Sequence, residues 1–412
     1  MRELSTQCCV VGGGPAGMTL GLLLARQGVD VVVLEKHADF LRDFRGDTIH
    51  PSTQELIHQL GWDEEFHRLP HARVERITIE LQGRPVTFAD FRRLPVHHPY
   101  VAFMPQWDFL DFLAAKGREF PSFRLLMSTP MTELVVTDGR VTGVRAEDAD
   151  GDLRIDADLV VAADGRHSSS REQARLVPES FRPPVDVLWL RVSRRPTDSL
   201  PFLNASGRAL VAINRGDYWQ LAYLIRPGTF DDLRREGLTA LREGIAQLAP
   251  DLADRVEEIA GWDDVHHLAV RVDRLRRWHR PGLLCIGDSA HAMSPAGGVG
   301  INLAVQDAVA TANIVGPRLV SGTLAESDLA SVQARRMWPT RVTQTLQVAI
   351  GHRLFPQRAH RDGDGARVPS FVRLFRWFPP LSRVTGRLVG IGVRPERIES
   401  RPPEPPSGGA RT

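Results

Sequence analysis

Cys8-Cys9-Val10-Val11-Gly12-Gly13-Gly14-Pro15-Ala16-Gly17 is an apolar run that breaks into glycines, and its reading decides the fold. The run predicts a buried strand over 8–11, and the apolar residues after it predict a helix over 15–26. Gly28 closes that helix, and a second strand is expected over 29–34. In Gly12-x-Gly14-x-x-Gly17 each glycine has its own task. Gly12 permits a tight turn, Gly14 lets the backbone approach a pyrophosphate, and Gly17 lets the helix pack on the strand. The helix N-terminus turns amide donors and a positive dipole end toward the phosphates. Glu35 closes the second strand, placed to accept hydrogen bonds from ribose hydroxyls. Strand, helix and terminal acid together make a dinucleotide site, without separating FAD from NAD.

Two further turns follow in order. Asp164-Gly165 closes an apolar run over 159–163 and leads into Arg166-His167-Ser168-Ser169-Ser170-Arg171. Gly287-Asp288-Ser289-Ala290-His291 closes another over 283–286. Each alone reads equally well as a capped turn. Ser289 is not read as a nucleophile, because a hydrolase elbow needs glycine where His291 stands. Next, Pro295-Ala296-Gly297-Gly298-Val299-Gly300-Ile301-Asn302 is a second glycine-rich loop opening a helix. Such a loop aims amides and a dipole at an anion. In a flavin enzyme the recipient is the electron-rich N1–C2 carbonyl edge of the reduced ring. One flavin dinucleotide is long enough to touch all three turns, so the set points to FAD.

Between these motifs the pattern alternates. Ile77, Ile79 and Leu81 suggest antiparallel strands, and 107–116 returns to helix. Short strands over 134–136, 141–145 and 153–155 read as a meander, turned by Asp138-Gly139 and Asp150-Gly151. The stretch 188–272 has strands over 210–213 and 219–225, a helix near 231–248, and none of the glycine-rich turns. The expected α/β fold is a discontinuous Rossmann-like FAD-binding domain over 1–71, 99–177 and 275–355. A strand-rich substrate domain over 72–98 and 178–274 is inserted through it. A C-terminal helical segment over 356–400 and a disordered tail over 401–412 complete it. Alternation puts Tyr218 and Gln220 on one strand face, as candidate substrate contacts.

At this point the residues match a known group. Three motifs in this order, over about residues 5 to 345, resemble the class A single-component flavoprotein monooxygenases, the para-hydroxybenzoate hydroxylase-like family. The resemblance implies FAD held non-covalently, NAD(P)H bound transiently, and O2 activated as a flavin C4a-hydroperoxide that hydroxylates an aromatic or other electron-rich apolar small molecule. It implies that Gly12, Gly14, Pro15, Ala16, Gly17 and Glu35 hold the ADP half, with Lys36 at the adenosine end. Arg45 corresponds to a flavin-contacting arginine, Gln106 to a polar FAD contact, and Met131 to a backbone contact with adenine. Asp164 and Gly165 would serve FAD and the nicotinamide cofactor, and Asp288 the ribityl chain. Pro295, Gly298, Gly300, Ile301 and Asn302 would line the isoalloxazine. Ser170 and Ser289 depart from the family's usual aliphatic residue and alanine. The resemblance names no catalytic base.

Other classes fit less well. A disulfide-type flavin reductase needs a second dinucleotide motif and a redox cysteine pair, and a flavin halogenase a suitably placed lysine. The chain has only Lys36, on the ribose side, and Lys116, in a surface-like helical position. Baeyer–Villiger oxygen insertion, epoxidation and non-catalytic FAD-fold binding stay open, as do NADH against NADPH and a homo-oligomeric state. A net charge of +2 gives no reason to invoke nucleic acid. Cys8, Cys9 and Cys285 read as small buried hydrophobes. With no apolar leader and no spanning run, no membrane segment is expected and the cytoplasm is the expected address. His97-His98 and His266-His267 are adjacent pairs, which a strand points to opposite faces, and no metal site is expected. The aromatic and arginine-rich stretch over 371–393, interrupted by Pro379-Pro380, reads as packing across the flavin domain or over the substrate entrance.

Overall fold

The structure, a computed structural model, describes residues 2–41, 48–81, 84–198, 200, 203–205, 209–354, 374–375, 377–378 and 380–399. The expectations for Arg45 and for the tail over 401–412 fall outside these residues.

An eight-stranded sheet is built around Arg2–Val11, which pairs in parallel with Val31–Leu34 on one side and Gly151–Ala162 on the other. Phe123–Leu126 adds beyond the former and Leu283–Cys285 beyond the latter, again in parallel. Met131–Thr137 and Arg140–Asp148 fold back on Gly151–Ala162 as the antiparallel meander. Parallel strands covered on both faces read as unbroken apolar runs. That is why Cys8, Cys9, Val10, Val31, Val32 and Val33 show no alternation: all are fully buried. Helices Pro15–Arg26 and Gly300–Val320 pack together against this sheet. The register sets Val11 beside Leu34 and Ala162, and Ala162 beside Cys285. Parallel strands in that register deliver their C-terminal turns to one edge, where an open α/β sheet takes its ligand.

A second, seven-stranded sheet runs in the order His266–Leu268, Asp186–Ser193, Tyr218–Ile225, Ala209–Asn214, Leu203–Ala205, Arg76–Leu81, Arg84–Asp90. Two stretches distant in the chain thus share one sheet, joined where Leu203–Ala205 pairs in parallel with Arg76–Leu81. Strand alternation divides its residues cleanly. Leu188, Leu190, Trp219, Leu221 and Tyr223 pack with the helix Leu238–Leu248. Trp189, Val211 and Ile213 pack instead with Phe103 and Val101, from a small three-stranded sheet.

Two expectations are corrected. The helix near 231–248 is two helices, Phe230–Glu236 and Leu238–Leu248, because Gly237 between them has φ +96°. Lys116 is not on the surface: it is buried, its Nζ donating to Glu65 at 2.8 Å and Glu119 at 2.9 Å. Two carboxylates compensate a buried ammonium, Glu119 one turn on and Glu65 from another helix, and no helical periodicity reveals the latter. The helix Leu381–Gly390 lies on Arg84–Asp90, with Gly386 so close to the Asp90 backbone that a Cβ would not fit. No helix among the described residues is long and apolar enough to cross a membrane.

Candidate active site

The first turn is built for close approach. Gly12 has φ +110°, and a Cβ there would run into the Ala163 carbonyl, so the first turn lies against the second. A Cβ at Gly17 would meet the Gly12 carbonyl. At Gly14, in contrast, nothing among the described residues lies within 4 Å of the Cβ position or caps with a side chain the helix that Pro15 and Ala16 open. Open space before uncapped amides is what a phosphate fills. Glu35 is buried at the end of its strand, and its carboxylate accepts from the amides of Gly13 and His37, both at 3.1 Å. Lys36 beside it is exposed. Met131 and Gln106 are half-buried, at the first positions of Met131–Thr137 and Gln106–Gly117.

The second and third turns are bolted together. Asp164 accepts from the Ser168 hydroxyl at 2.5 Å and from the Ser170 amide and hydroxyl at 3.0 and 2.9 Å; Gly165 follows at φ +82°. Ser170 therefore holds the carboxylate in place. Arg171 reaches across to the Ser289 carbonyl at 3.1 Å. Ser289 is fully buried, with its hydroxyl on the Ala162 carbonyl at 2.6 Å, which makes it a structural tie. Asp288 is the exposed residue of the turn Gly287–Ser289, flanked by buried neighbours. Gly287, at φ +59°, wedges between the two helices: its Cβ would lie 3.2 Å from Ala16 and 3.3 Å from Ala304.

Under that turn lies a buried charge chain that sequence reading missed. Asp307 takes the Gly287 amide at 3.1 Å and His291 Nε2 at 2.6 Å on one oxygen, and Arg336 Nε at 2.9 Å on the other. Arg336 continues to Glu396 at 3.1 Å. Burial works against the Asp307 charge, yet His291 and Arg336 hold its carboxyl below the usual range. The signal was present: Asp307 is an isolated charge inside the apolar helix Gly300–Val320.

The second glycine loop is held from below. Gly297 and Gly298 have φ +80° and +63°, and the Thr48 hydroxyl donates to the Gly298 carbonyl at 2.9 Å. Buried His50 lies between two carbonyls, Gly298 at 3.1 Å and Val389 at 2.9 Å, and burial pushes its imidazole down to about 4. Asn302 Oδ1 accepts from Ser52 at 2.6 Å and Thr53 at 2.9 Å, which ties the loop to the helix Pro51–Gln59. Pro295 is exposed, Ile301 is buried, and Gly300 opens its helix without a side-chain cap.

Tyr218 and Gln220 sit on the other sheet, on one strand whose register sets Gln220 beside Ile213. Gln220 is buried; its Oε1 accepts from Arg215 at 2.8 Å, while its Nε2 has no partner among the described residues. Trp189 Nε1, also buried, is equally unpartnered. Tyr218 is half-buried, with the Arg191 guanidinium 5.7 Å from its ring centre. Val389, whose carbonyl meets His50, packs in the apolar cluster of Trp189, Val211 and Ile213. His50 thereby links the glycine loop to that cluster.

The sequence from residue 5 to 344 matches the family profile described as an FAD binding domain. The chain belongs to the class A FAD-dependent monooxygenase family. It is 36% identical over 346 residues to 6-methylpretetramide 4-monooxygenase of Streptomyces rimosus, covering 83% of each chain. It is 27% identical over 340 residues to protoasukamycin 4-monooxygenase of Streptomyces nodosus subsp. asukaensis, covering 78% of this chain and 82% of that one. The fold matches anhydrotetracycline hydroxylase of Streptomyces rimosus with a TM-score of 0.75 at 21% identity, over 97% of this chain and 79% of that one. p-Nitrophenol 4-monooxygenase of Pseudomonas putida gives 0.74 at 19%, over 93% and 99%. The monooxygenase is thus a flavoprotein enzyme that uses FAD. The open Gly14 position and the uncapped helix starts fit that cofactor.

Proposed function

We propose that this monooxygenase hydroxylates a fused-ring phenolic small molecule, with NAD(P)H as reductant and O2 as oxidant. The observation that carries the reading is the 36% identity, across 83% of both chains, to an enzyme named for a pretetramide substrate. Supporting it, Gln220 Nε2 and Trp189 Nε1 are two donors without partners among the described residues, on the sheet face that carries the apolar cluster of Val211 and Ile213. Buried donors without partners are costly, and carbonyl or phenol oxygens of a ligand would satisfy them.

In this reading Gly12, Gly14, Pro15, Ala16, Gly17 and Glu35 hold the ADP half, Lys36 and Met131 border the adenosine, and Gln106 and Arg45 contact the flavin side. Asp164 and Gly165 meet the middle of the cofactor, and Asp288 holds the ribityl hydroxyls. Pro295, Gly298, Gly300, Ile301 and Asn302 shape the ring site, largely through the backbone, since the Asn302 amide oxygen is already engaged. When bound, FAD supplies the redox chemistry, taking electrons from NAD(P)H and passing one oxygen atom from O2 to the substrate. The residues bind, orient and exclude water: the helix start at Gly300 directs positive potential at negative charge on the ring edge, and the apolar cluster around Trp189 keeps the pocket dry.

NAD(P)H oxidation in air by the FAD-loaded enzyme tests this. Acceleration by fused-ring phenols with a hydroxylated product is expected, and weaker response to single-ring phenols. Equal indifference to every fused-ring phenol, with FAD bound, would sink the substrate class.

A further inference from the structure

Five of the chain's histidines, His58, His67, His71, His97 and His98, gather far along the chain from the flavin turns, with Asp63 at their centre. Asp63 Oδ1 lies 2.7 Å from His98 Nε2, and Asp63 Oδ2 lies 2.5 Å from His58 Nδ1. The His67 and His98 ring centres are 3.9 Å apart. One ligand atom each from Asp63, His67 and His98 fits within a 4.8 Å span, and all three residues are half-buried, open to an ion from solution.

His67 is enclosed by acceptors. Its Nδ1 lies 2.8 Å from the Asp63 carbonyl, and its Nε2 lies 3.3 Å from Gln54 Oε1. Gln54 is fully buried, and its amide nitrogen is committed to the carbonyls of Tyr100 at 2.7 Å and Ile49 at 3.1 Å, so Oε1 must face His67. Both ring nitrogens therefore face acceptors. A neutral imidazole carries one N–H, so in either tautomer one of its lone pairs faces another. Two more polar atoms of the same knot, His71 Nε2 and Tyr100 Oη, are buried without partners among the described residues. The Tyr100 ring centre lies 6.1 to 6.3 Å from those of His67, His71 and His98.

We propose that Asp63, His67 and His98 form a binding site for a divalent transition-metal ion of the zinc type. Two imidazoles and a carboxylate are a zinc donor set, with a fourth position for water. The His67 Nδ1–H bond to the Asp63 carbonyl is the kind of outer contact that fixes a ligand ring and frees Nε2 for the ion. The ion removes the lone-pair conflict at His67. It also joins the segment Asp63–His67 to the loop bearing His98, beside the helix Pro51–Gln59 that carries Ser52 and Thr53 to Asn302. This site stands independently of the oxygenase reading.

The test is calorimetric titration of chelator-treated, FAD-loaded full chain with Zn2+ alone, with Mg2+ as control. One Zn2+ per chain is expected, with Mg2+ silent. Asp63→Asn and His98→Ala should each weaken Zn2+ binding by roughly 10-fold or more, and His266→Ala should not. Zinc X-ray absorption should read nitrogen and oxygen ligands at about 2.0–2.1 Å. Variants are compared as protein that retains a wild-type flavin spectrum; His98→Gln replaces His98→Ala if the latter fails that check. No saturable Zn2+ binding by wild type, or equal binding by Asp63→Asn and His98→Ala, overturns the proposal.

Discussion

Asp307 Oδ2 lies 2.6 Å from His291 Nε2 and also receives the Gly287 amide, so a fully buried carboxylate holds the start of the third turn. Asp307→Asn keeps the shape but removes the charge opposite Arg336. Breaking a buried pair by removing one partner costs about 3–5 kcal/mol. Chemical unfolding and FAD retention should fall together in this variant, although Asp307 is buried beneath the turn. Wild-type FAD retention would separate the network from the cofactor site.

Gly14 and Gly17 should respond oppositely to alanine. Gly17→Ala drives a Cβ into the Gly12 carbonyl and should lower the melting temperature of the cofactor-free protein. Gly14→Ala meets nothing within 4 Å among the described residues, so that temperature should hold while FAD affinity drops. Unchanged affinity in Gly14→Ala would mean that the pyrophosphate lies elsewhere.

Asp288→Ala should cost FAD retention and leave the cofactor-free fold intact, because the side chain is exposed in a turn whose other residues are buried. Gel filtration followed by flavin absorbance reads this directly. Retention equal to wild type removes Asp288 from the ribityl role.

Trp189→Phe removes an unpartnered donor without removing the ring from its apolar cluster. Stability and FAD binding should be unaffected. Loss of one net hydrogen bond to substrate predicts a roughly 2- to 10-fold rise in KM. An unchanged KM across fused-ring phenols would place the substrate away from this face.

His50 gives a pH signature. Its folded value of about 4 lies below its ordinary 6.5, so between these values the unfolded chain binds more protons. Stability should therefore be level above pH 6.5 with respect to this group and be lost as pH falls toward 4. His50→Gln should flatten that limb in melting curves recorded across the range; an identical slope in the variant would refute the assignment.

By itself, the sequence determined the parallel strands, their glycine turns and the family, because these signals are local. A strand buried on both faces must be apolar throughout, and a turn with φ +110° at Gly12 favours glycine wherever it occurs. The two-faced strand Tyr218–Ile225 was legible for the same reason, since alternation separates Gln220 from Tyr223. Tertiary structure alone decided which charges were paired. Lys116 with Glu65, Asp307 with Arg336 and Asp63 with His98 join residues 51, 29 and 35 positions apart. Partners so far apart in the chain leave no periodicity to read. Tertiary packing also engaged the Asn302 side chain with Ser52 and Thr53. Partner choice among polar groups follows from the packing that removes water from them, and that packing exists only once the sheets have closed.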